Sequence, residues 1–355
     1  MSGNGNLKKG TNRKRKNKDG KDDQRTKRSK NSDLPPSDRL PKHGFPSDHP
    51  YNKDGYRYCL AEPDPHIPDN DPDEEHARPV AIPPKVYRKL EHPIPLLSSH
   101  DRAQQLNIDD DRLTVTGERG YSTVRGTHSV RKGKWYFEVL IKELPDDSAV
   151  RVGWSQKYAS IQNPVGCDVF GYSIRSKKGT VFHQARGKSY TNKVGFEEGD
   201  VIGCEISLSP NAPSAYKLPD TLKEATLIKF KNFYYFESRD QMKNAKENLK
   251  EVENSSVTFY RNGKSLGTAF KNIYDGEYFP AISLYKDAKV TVNFGGTPWK
   301  HRPEATEKEK AAEPIEKRGF SSQIEQAMAD LLFAVDLKIN GILKTDLGKK
   351  LDSNY

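Results

Sequence analysis

Apolar and polar residues alternate through the middle of the chain. The clearest case is Trp135-Tyr-Phe-Glu-Val-Leu-Ile141, which follows a turn at Gly133. A period of two residues predicts a half-buried β-strand. Similar short runs predict strands at 113–115, 121–124, 150–154, 170–174, 201–208, 257–260, 281–284 and 290–294. Many short strands between turns predict an antiparallel β-sandwich, in which Asn262-Gly263 forms a type I′ hairpin.

Residues 209–253 interrupt this rhythm because they are polar and rich in Lys and Glu. We interpret them as an insertion at the rim of the sandwich. Within it, Met242, Ala245, Leu249 and Val252 lie near helical spacing, which predicts a short helix over 238–253.

The last pattern is helical. Ser322-Gln-Ile-Glu325 has the form of a capping box, in which the hydroxyl and the carboxylate each satisfy a free backbone N–H. An apolar stripe with helical spacing follows, formed by Ile324, Met328, Leu331, Leu332 and Val335. The helix is expected to end near Asn340-Gly341. Because the connector 302–317 is charged and contains Pro, we favour docking into a partner's groove over a return to the helix's own core.

The composition of the 355-residue chain predicts how it is divided into ordered and disordered segments. Hydrophobic content is 33% and charged content 30%, so part of the chain cannot build a core. We predict a disordered basic arm at 1–40, a Pro/Asp-rich segment lying on the domain at 41–100, and the sandwich at 101–300. A linker at 301–320 and the partner-binding helix at 321–341 complete the plan.

Residues 1–30 of the arm hold twelve Lys and Arg against three Asp, which accounts for nearly the whole of the formal net charge of +10. Its two clusters resemble a bipartite nuclear import signal or a patch that neutralises phosphates. A solubilising tail is the alternative. The clustered residues are Arg13, Lys14, Arg15, Lys16, Lys27, Arg28 and Lys30.

Known chemical motifs are missing from the sequence. Cys59, Cys167 and Cys204 are far apart, which argues against a disulfide framework or a zinc site and for reduced thiols in an intracellular protein. No apolar run is long enough to span a membrane, and the basic N-terminus is unlike a secretory signal. Without a catalytic or nucleotide-binding motif, we expect neither an enzyme nor a cofactor or metal.

Six sequence blocks, in order, resemble the SPRY (B30.2-like) domain. They are Arg131-Lys-Gly-Lys-Trp-Tyr-Phe-Glu-Val139, Arg151-Val-Gly-Trp-Ser155, Gly171-Tyr-Ser173, Gly199-Asp-Val-Ile-Gly203, Val257-Thr-Phe-Tyr-Arg-Asn-Gly263 and Tyr278-Phe-Pro-Ala-Ile-Ser283. Five more segments narrow the resemblance: 49–58, 60–66, Ser176-Lys-Lys-Gly179, Phe182-His-Gln184 and 227–231. Over residues 43–340 the chain resembles the absent, small or homeotic discs family, trithorax-group SPRY subunits of SET/MLL (COMPASS-type) histone methyltransferase complexes.

This resemblance implies a non-catalytic nuclear scaffold that supports methylation of histone H3 lysine 4. Its partners would be a WD-repeat retinoblastoma-binding subunit and a SET-domain methyltransferase. The family's pocket for an acidic or phosphorylated segment of the WD-repeat subunit matches Tyr121, Arg151, Pro164 and Lys177, with Arg175 nearby. Arg offers a bidentate fork and Lys a point charge, while Tyr and Pro supply an apolar wall.

Two features of this implied pocket remain open. Arg151 has the alternative of pairing with a neighbouring acid of the sandwich. Where the family has an aromatic residue near Pro164, this chain has Cys167, which leaves one wall of the pocket without its ring.

The resemblance also assigns the helix to the dimeric dumpy-thirty subunit, with the apolar stripe as its docking face. No Cys/His cluster precedes the sandwich, so the basic arm would contact nucleosomal DNA through phosphates alone. Two other functions are a nuclear RNA-binding SPRY protein and a substrate receptor of a ubiquitin ligase. An enzyme with a scattered site is a third.

Overall fold

A computed structural model describes residues 55–63, 87–88, 93–220, 226–230, 233–302 and 311–342. The first strands in chain order are β1 (Tyr56–Pro63), β2 (Tyr87–Arg88), β3 (Leu97–Arg102), β4 (Asn107–Ile108), β5 (Thr114–Thr116), β6 (Tyr121–Gly126), β7 (Gly133–Glu143), β8 (Ala149–Ser155), β9 (Gly171–Arg175) and β10 (Thr180–His183). There follow β11 (Arg186–Ser189), β12 (Val201–Leu208), β13 (Thr226–Phe230), β14 (Phe233–Arg239), helix α1 (Met242–Glu247), β15 (Ser256–Arg261), β16 (Lys264–Lys271), β17 (Phe279–Tyr285), β18 (Lys289–Asn293), β19 (Glu313–Pro314) and helix α2 (Arg318–Ile342).

Two large sheets enclose the core. Sheet I has the strand order β11-β10-β9-β8-β17-β6-β3, and sheet II has the order β16-β15-β12-β7-β18-β5-β4. Alternate side chains of both sheets form one buried apolar cluster. At its centre Phe137 of β7 meets Trp154 of β8 edge to face, with ring centroids 5.0 Å apart. The predicted mainly β SPRY sandwich is confirmed.

The predicted strands appear within one or two residues of their expected bounds. The turn chemistry is also correct at Asn262 and Gly263, which connect β15 to β16 with φ values of 50° and 79°. Positive φ at both central residues defines the type I′ hairpin, so this prediction is confirmed.

The insertion is more structured than its composition suggests. Strands β13 and β14 form a hairpin within it, and β14 pairs with β1, giving sheet III with the order β13-β14-β1-β2. Tyr58, Ile228 and Tyr235 form a small buried cluster in this sheet. Helix α1 has six residues rather than the sixteen predicted. Residues 238 and 239 belong to β14, and Glu251 forms a β-bridge with Tyr274.

The C-terminal connector differs from its prediction. Strand β19 pairs in parallel with β7, and the Ile315 side chain after it is fully buried in the core. The C-terminal part of the predicted linker 301–320 is thus attached to the sandwich through β19 and Ile315. The helix also begins four residues before Ser322, whose hydroxyl donates to the carbonyl of Gly319 at 3.1 Å inside the helix. Packing against the sandwich starts the helix early, and Ser322 is not its cap.

Candidate functional site

The outer face of sheet I brings together polar and aromatic side chains from four neighbouring strands. Arg151 of β8 lies opposite Arg175 of β9 on one side and Ser283 of β17 on the other. On the next strand, Tyr121 of β6 lies opposite Tyr285, with ring centroids 5.0 Å apart. The sequence alternation thus puts two arginines and an aromatic wall on one face.

The loop 156–170 between β8 and β9 folds over this face. Three hydroxyl contacts hold it: Thr123 Oγ1 donates to Asn163 O at 2.7 Å, Val165 N donates to Ser283 Oγ at 2.8 Å, and Ser173 Oγ donates to Val165 O at 2.6 Å. Pro164 lies between two of these anchored residues. The sheet therefore fixes the loop that carries it beside Arg151.

Arg151 has only 7% of its surface exposed. Its Nη1 donates to Val165 O at 3.1 Å, and its guanidinium carbon lies 5.3 Å from the centroid of the Tyr121 ring. Burial lowers the pKa of the Arg151 guanidinium, and Arg175 lowers it further. Among the described residues no carboxylate forms an ion pair with Arg151. The alternative of an internal acidic partner is not observed there.

Arg175 and Lys177 extend the positive surface outward from Arg151. Arg175 Nε donates to Lys177 O at 3.3 Å, and this contact places Lys177 in the 3-10 turn after β9. Lys177 is exposed. Together with Tyr121 and Pro164, all five predicted pocket residues lie on this face or on the segments bordering it.

Phe182 of β10 is a contact that sequence reasoning missed. Its ring centroid lies 3.8 Å from the guanidinium carbon of Arg151 and 4.9 Å from that of Arg175. The only signal was its place in the Phe182-His-Gln184 segment of the family resemblance. Phe182 thus supplies an aromatic ring in a pocket where Cys167 supplies none.

The predicted docking stripe lies on the exposed side of α2. Exposed fractions range from 44% to 64% for the five side chains, and Phe320 one turn earlier is 72% exposed. The five residues are Ile324, Met328, Leu331, Leu332 and Val335. The buried side of the helix carries Ser322, Gln326 and Ala329. The stripe is thus not used for packing by the part of the chain that the structure describes.

The base of α2 is held on the sandwich by Arg318. Its Nε donates to Ser129 O at 2.7 Å, while Nη1 and Nη2 donate to the Glu325 carboxylate at 2.7 and 2.8 Å. Burial opposes ionisation of Glu325, but this fork outweighs it and lowers the pKa of the carboxyl group. The N-terminal end of the helix that carries the stripe is therefore attached to the sandwich.

The seven basic residues predicted to serve nuclear import or DNA contact lie outside the described residues. Within residues 55–342, as far as they are described, three or more His, Cys, Asp or Glu side chains do not gather as metal ligands would. In that same part of the chain, neither α1 nor α2 has the length and apolar character of a membrane span.

The SPRY domain family model matches residues 134–212 and 250–297, which covers strands of both large sheets. The gap between the two matches corresponds to the insertion that forms sheet III. The fold and this match together define the chain as a SPRY-domain protein.

More specific similarity comes from whole-chain relatives. The chain is 47% identical over 307 residues to the Set1/Ash2 histone methyltransferase complex subunit ASH2 of Drosophila melanogaster, covering 86% of this chain and 54% of the relative. It is 41% identical to subunit ash-2 of Caenorhabditis elegans, covering 84% and 52%. It is 28% identical to the Set1 complex component ash2 of Schizosaccharomyces pombe, covering 82% and 47%.

These relatives confirm the resemblance inferred from the sequence motifs. Over its matched residues the chain is homologous to Ash2-type subunits, which are named as components of histone methyltransferase complexes. The chain spans about half the length of the curated relatives it matches.

Proposed function

We propose that this chain is a non-catalytic scaffold subunit of a SET/MLL-type (COMPASS) complex that methylates histone H3 lysine 4. The names of its relatives support the complex. Two separate docking surfaces, the Arg151 pocket and the exposed stripe of α2, support a scaffolding role. In this proposal the chain stimulates a partner SET-domain methyltransferase in the nucleus and thereby influences transcription.

The Arg151 pocket would bind an acidic or phosphorylated segment of the WD-repeat retinoblastoma-binding subunit. The observation that carries this assignment is a nearly buried guanidinium without a described acidic partner. Burying an uncompensated charge is unfavourable, and an incoming carboxylate or phosphate offsets that desolvation with charge-assisted hydrogen bonds. Arg175 and Lys177 add positive charge at the pocket's outer side.

Fluorescence anisotropy with an acidic peptide of the WD-repeat subunit tests the pocket. Arg151→Glu replaces the fork with a like charge, and we expect affinity to fall by about 2–5 kcal/mol, roughly 30-fold or more. Lys264→Glu makes a charge reversal at the exposed β15–β16 hairpin of sheet II and serves as the matched control. If a folded Arg151→Glu variant bound the peptide as tightly as the unaltered chain, the assignment of the pocket would be refuted.

The stripe on α2 would enter the groove between the helices of the dumpy-thirty dimer. Burying these exposed apolar side chains gives the association its driving force. In a pull-down, Leu331→Glu is expected to release the dimer and leave the acidic peptide bound, whereas Arg151→Glu does the reverse. Asp330→Ala, the adjacent position on the helix, is the control. Loss of both partners with either variant would contradict independent sites.

The scaffold role itself is tested by reconstitution. Methylation of histone H3 lysine 4 is measured for the SET-domain enzyme and the WD-repeat subunit with and without this chain. We expect a higher rate with the chain and no turnover by the chain alone. Turnover by the isolated chain would instead favour the enzyme hypothesis.

A further inference from the structure

Phe182 projects from β10 onto the outer face of sheet I, where it contacts both pocket arginines. We propose that Phe182 is a positioning residue of the acidic-segment pocket, an aromatic platform that holds the guanidinium groups of Arg151 and Arg175 in place. This inference rests on the proposed function of the pocket.

Two like charges meet across β8 and β9, because Arg151 and Arg175 are direct neighbours in the strand register. Such a pair repels itself, which is unfavourable in the absence of a ligand. The π face of an aromatic ring carries partial negative charge and attracts a guanidinium within about 6 Å of its centroid. Phe182 satisfies this distance for both arginines. The ring therefore offsets part of their mutual repulsion without neutralising either charge.

The other contacts of Arg151 constrain the rest of its guanidinium. Nη1 donates a hydrogen bond to Val165 O, and the centroid of the Phe182 ring lies 3.8 Å from the guanidinium carbon. Nε is buried and has no hydrogen-bond acceptor among the described residues. A buried donor without an acceptor is unfavourable, so a local shift that brings a ligand oxygen to this nitrogen would be favoured. The Tyr121 side chain also hydrogen-bonds this guanidinium, so Phe182, Val165 and Tyr121 together fix its orientation.

Gly187 of β11 leaves the space in which the Phe182 ring lies against the two arginines. It pairs with Phe182 across β10 and β11. A Cβ atom at position 187 would lie 2.8 Å from Phe182 Cε1 and 3.0 Å from Cζ. Since carbon atoms do not approach so closely, any larger residue displaces the ring. Gly187 is exposed, so a methyl group there perturbs the platform from the outside.

The test uses the full chain and a fluorescein-labelled poly-Glu peptide, with poly-Gln of equal length as the control peptide. Phe182→Leu keeps an apolar side chain and removes the π face. We expect binding to weaken by about 2- to 30-fold. Phe182→Trp should keep near-normal affinity, and Gly187→Ala should weaken it by shifting the ring. Site-specific mono-, di- and trifluorophenylalanine at 182 should weaken binding stepwise at constant shape.

A second measurement separates positioning from folding. The ¹⁵N chemical shift of Arg151 Nε should change on peptide binding in the natural chain and change less in Phe182→Leu. Unaltered peptide affinity in Phe182→Leu, beside lost affinity in Arg151→Glu, would refute the platform and leave the pocket intact. A flat response to fluorination would also refute it, because the ring would then act through shape alone. Failure of the unaltered chain to prefer poly-Glu over poly-Gln would instead reject the proposed pocket.

Discussion

Arg125 of β6 is a fully buried arginine whose guanidinium joins two parts of the sandwich. Its Nε and Nη2 donate to the Asp101 carboxylate at 2.6 and 2.7 Å. Its remaining bonds go to main-chain carbonyls at the start of the loop 156–170: Nη1 to Gln156 and Ala159 at 3.2 and 3.0 Å, and Nη2 to Lys157 at 3.3 Å. One side chain therefore supports both β3 and the loop that borders the proposed pocket.

Arg125→Met removes these donors while keeping a long apolar side chain. It breaks the ion pair with the Asp101 carboxylate, whose side chain is 17% exposed. Breaking a buried ion pair from one side reduces the free energy of unfolding by about 3–5 kcal/mol. We expect a loss in this range, and a weaker loss of acidic-peptide affinity because the loop 156–170 is no longer held at its start.

Urea unfolding followed by tryptophan fluorescence measures this loss, since Trp154 is completely buried and reports on the core. Arg119→Met is the matched control, because Arg119 has an 85% exposed side chain and reaches Glu118 only at 3.8 Å. It should change the free energy of unfolding by less than about 0.5 kcal/mol. Equal unfolding midpoints for the two variants would refute the role assigned to Arg125.

Three further predictions concern packing, pH and charge. Gly203→Ala should reduce the free energy of unfolding by about 1–3 kcal/mol, because its Cβ would lie 2.2 Å from the Tyr136 hydroxyl, whereas Gly296→Ala meets nothing within 4 Å and should leave the urea midpoint unchanged. Burial lowers the pKa of His183 below its ordinary 6.5, so its contribution to stability is complete above pH 6.5 and is lost as the pH falls through the folded-state value. His183→Phe should flatten that acid limb in urea melts across pH, and an unchanged limb would contradict this assignment. Deleting residues 1–33 should weaken DNA binding and its salt dependence in filter-binding assays, while a preferential loss of RNA affinity would favour the RNA-binding alternative.

Local sequence patterns predicted the large sheets well. Alternation in Trp135–Ile141 marked the centre of β7, and the Asn262-Gly263 pair specified the hairpin between β15 and β16. Both signals are short-range, since side-chain direction and turn type depend on neighbouring residues. The same alternation put Arg151 and Arg175 on one face, although it did not identify their shared aromatic neighbour.

Long-range pairing lay beyond these patterns. Strand β1 pairs with β14, so Tyr58 lies opposite Glu237 across 179 positions of the chain. Polar composition hid the hairpin of the insertion, because its strands bury small clusters within sheet III rather than contributing to the main core. The capping box at Ser322 failed for a related reason. Arg318 donates a hydrogen bond to Ser129 O on a loop distant in sequence, and tertiary packing of this kind sets where the helix starts.

The attachment of α2 through β19, Ile315 and Arg318 has a consequence for how two partners would be held together. Val335 lies seventeen residues beyond Arg318, about 25 Å along a continuous helix. A partner on the stripe and a partner in the pocket would thus be separated by a distance that the folded protein sets. Because no flexible linker separates the two sites within the described residues, the effective concentration for the second binding event depends on the fixed geometry between them. Lengthening the chain between Ile315 and Arg318 should therefore reduce avidity for linked partners without changing either single affinity.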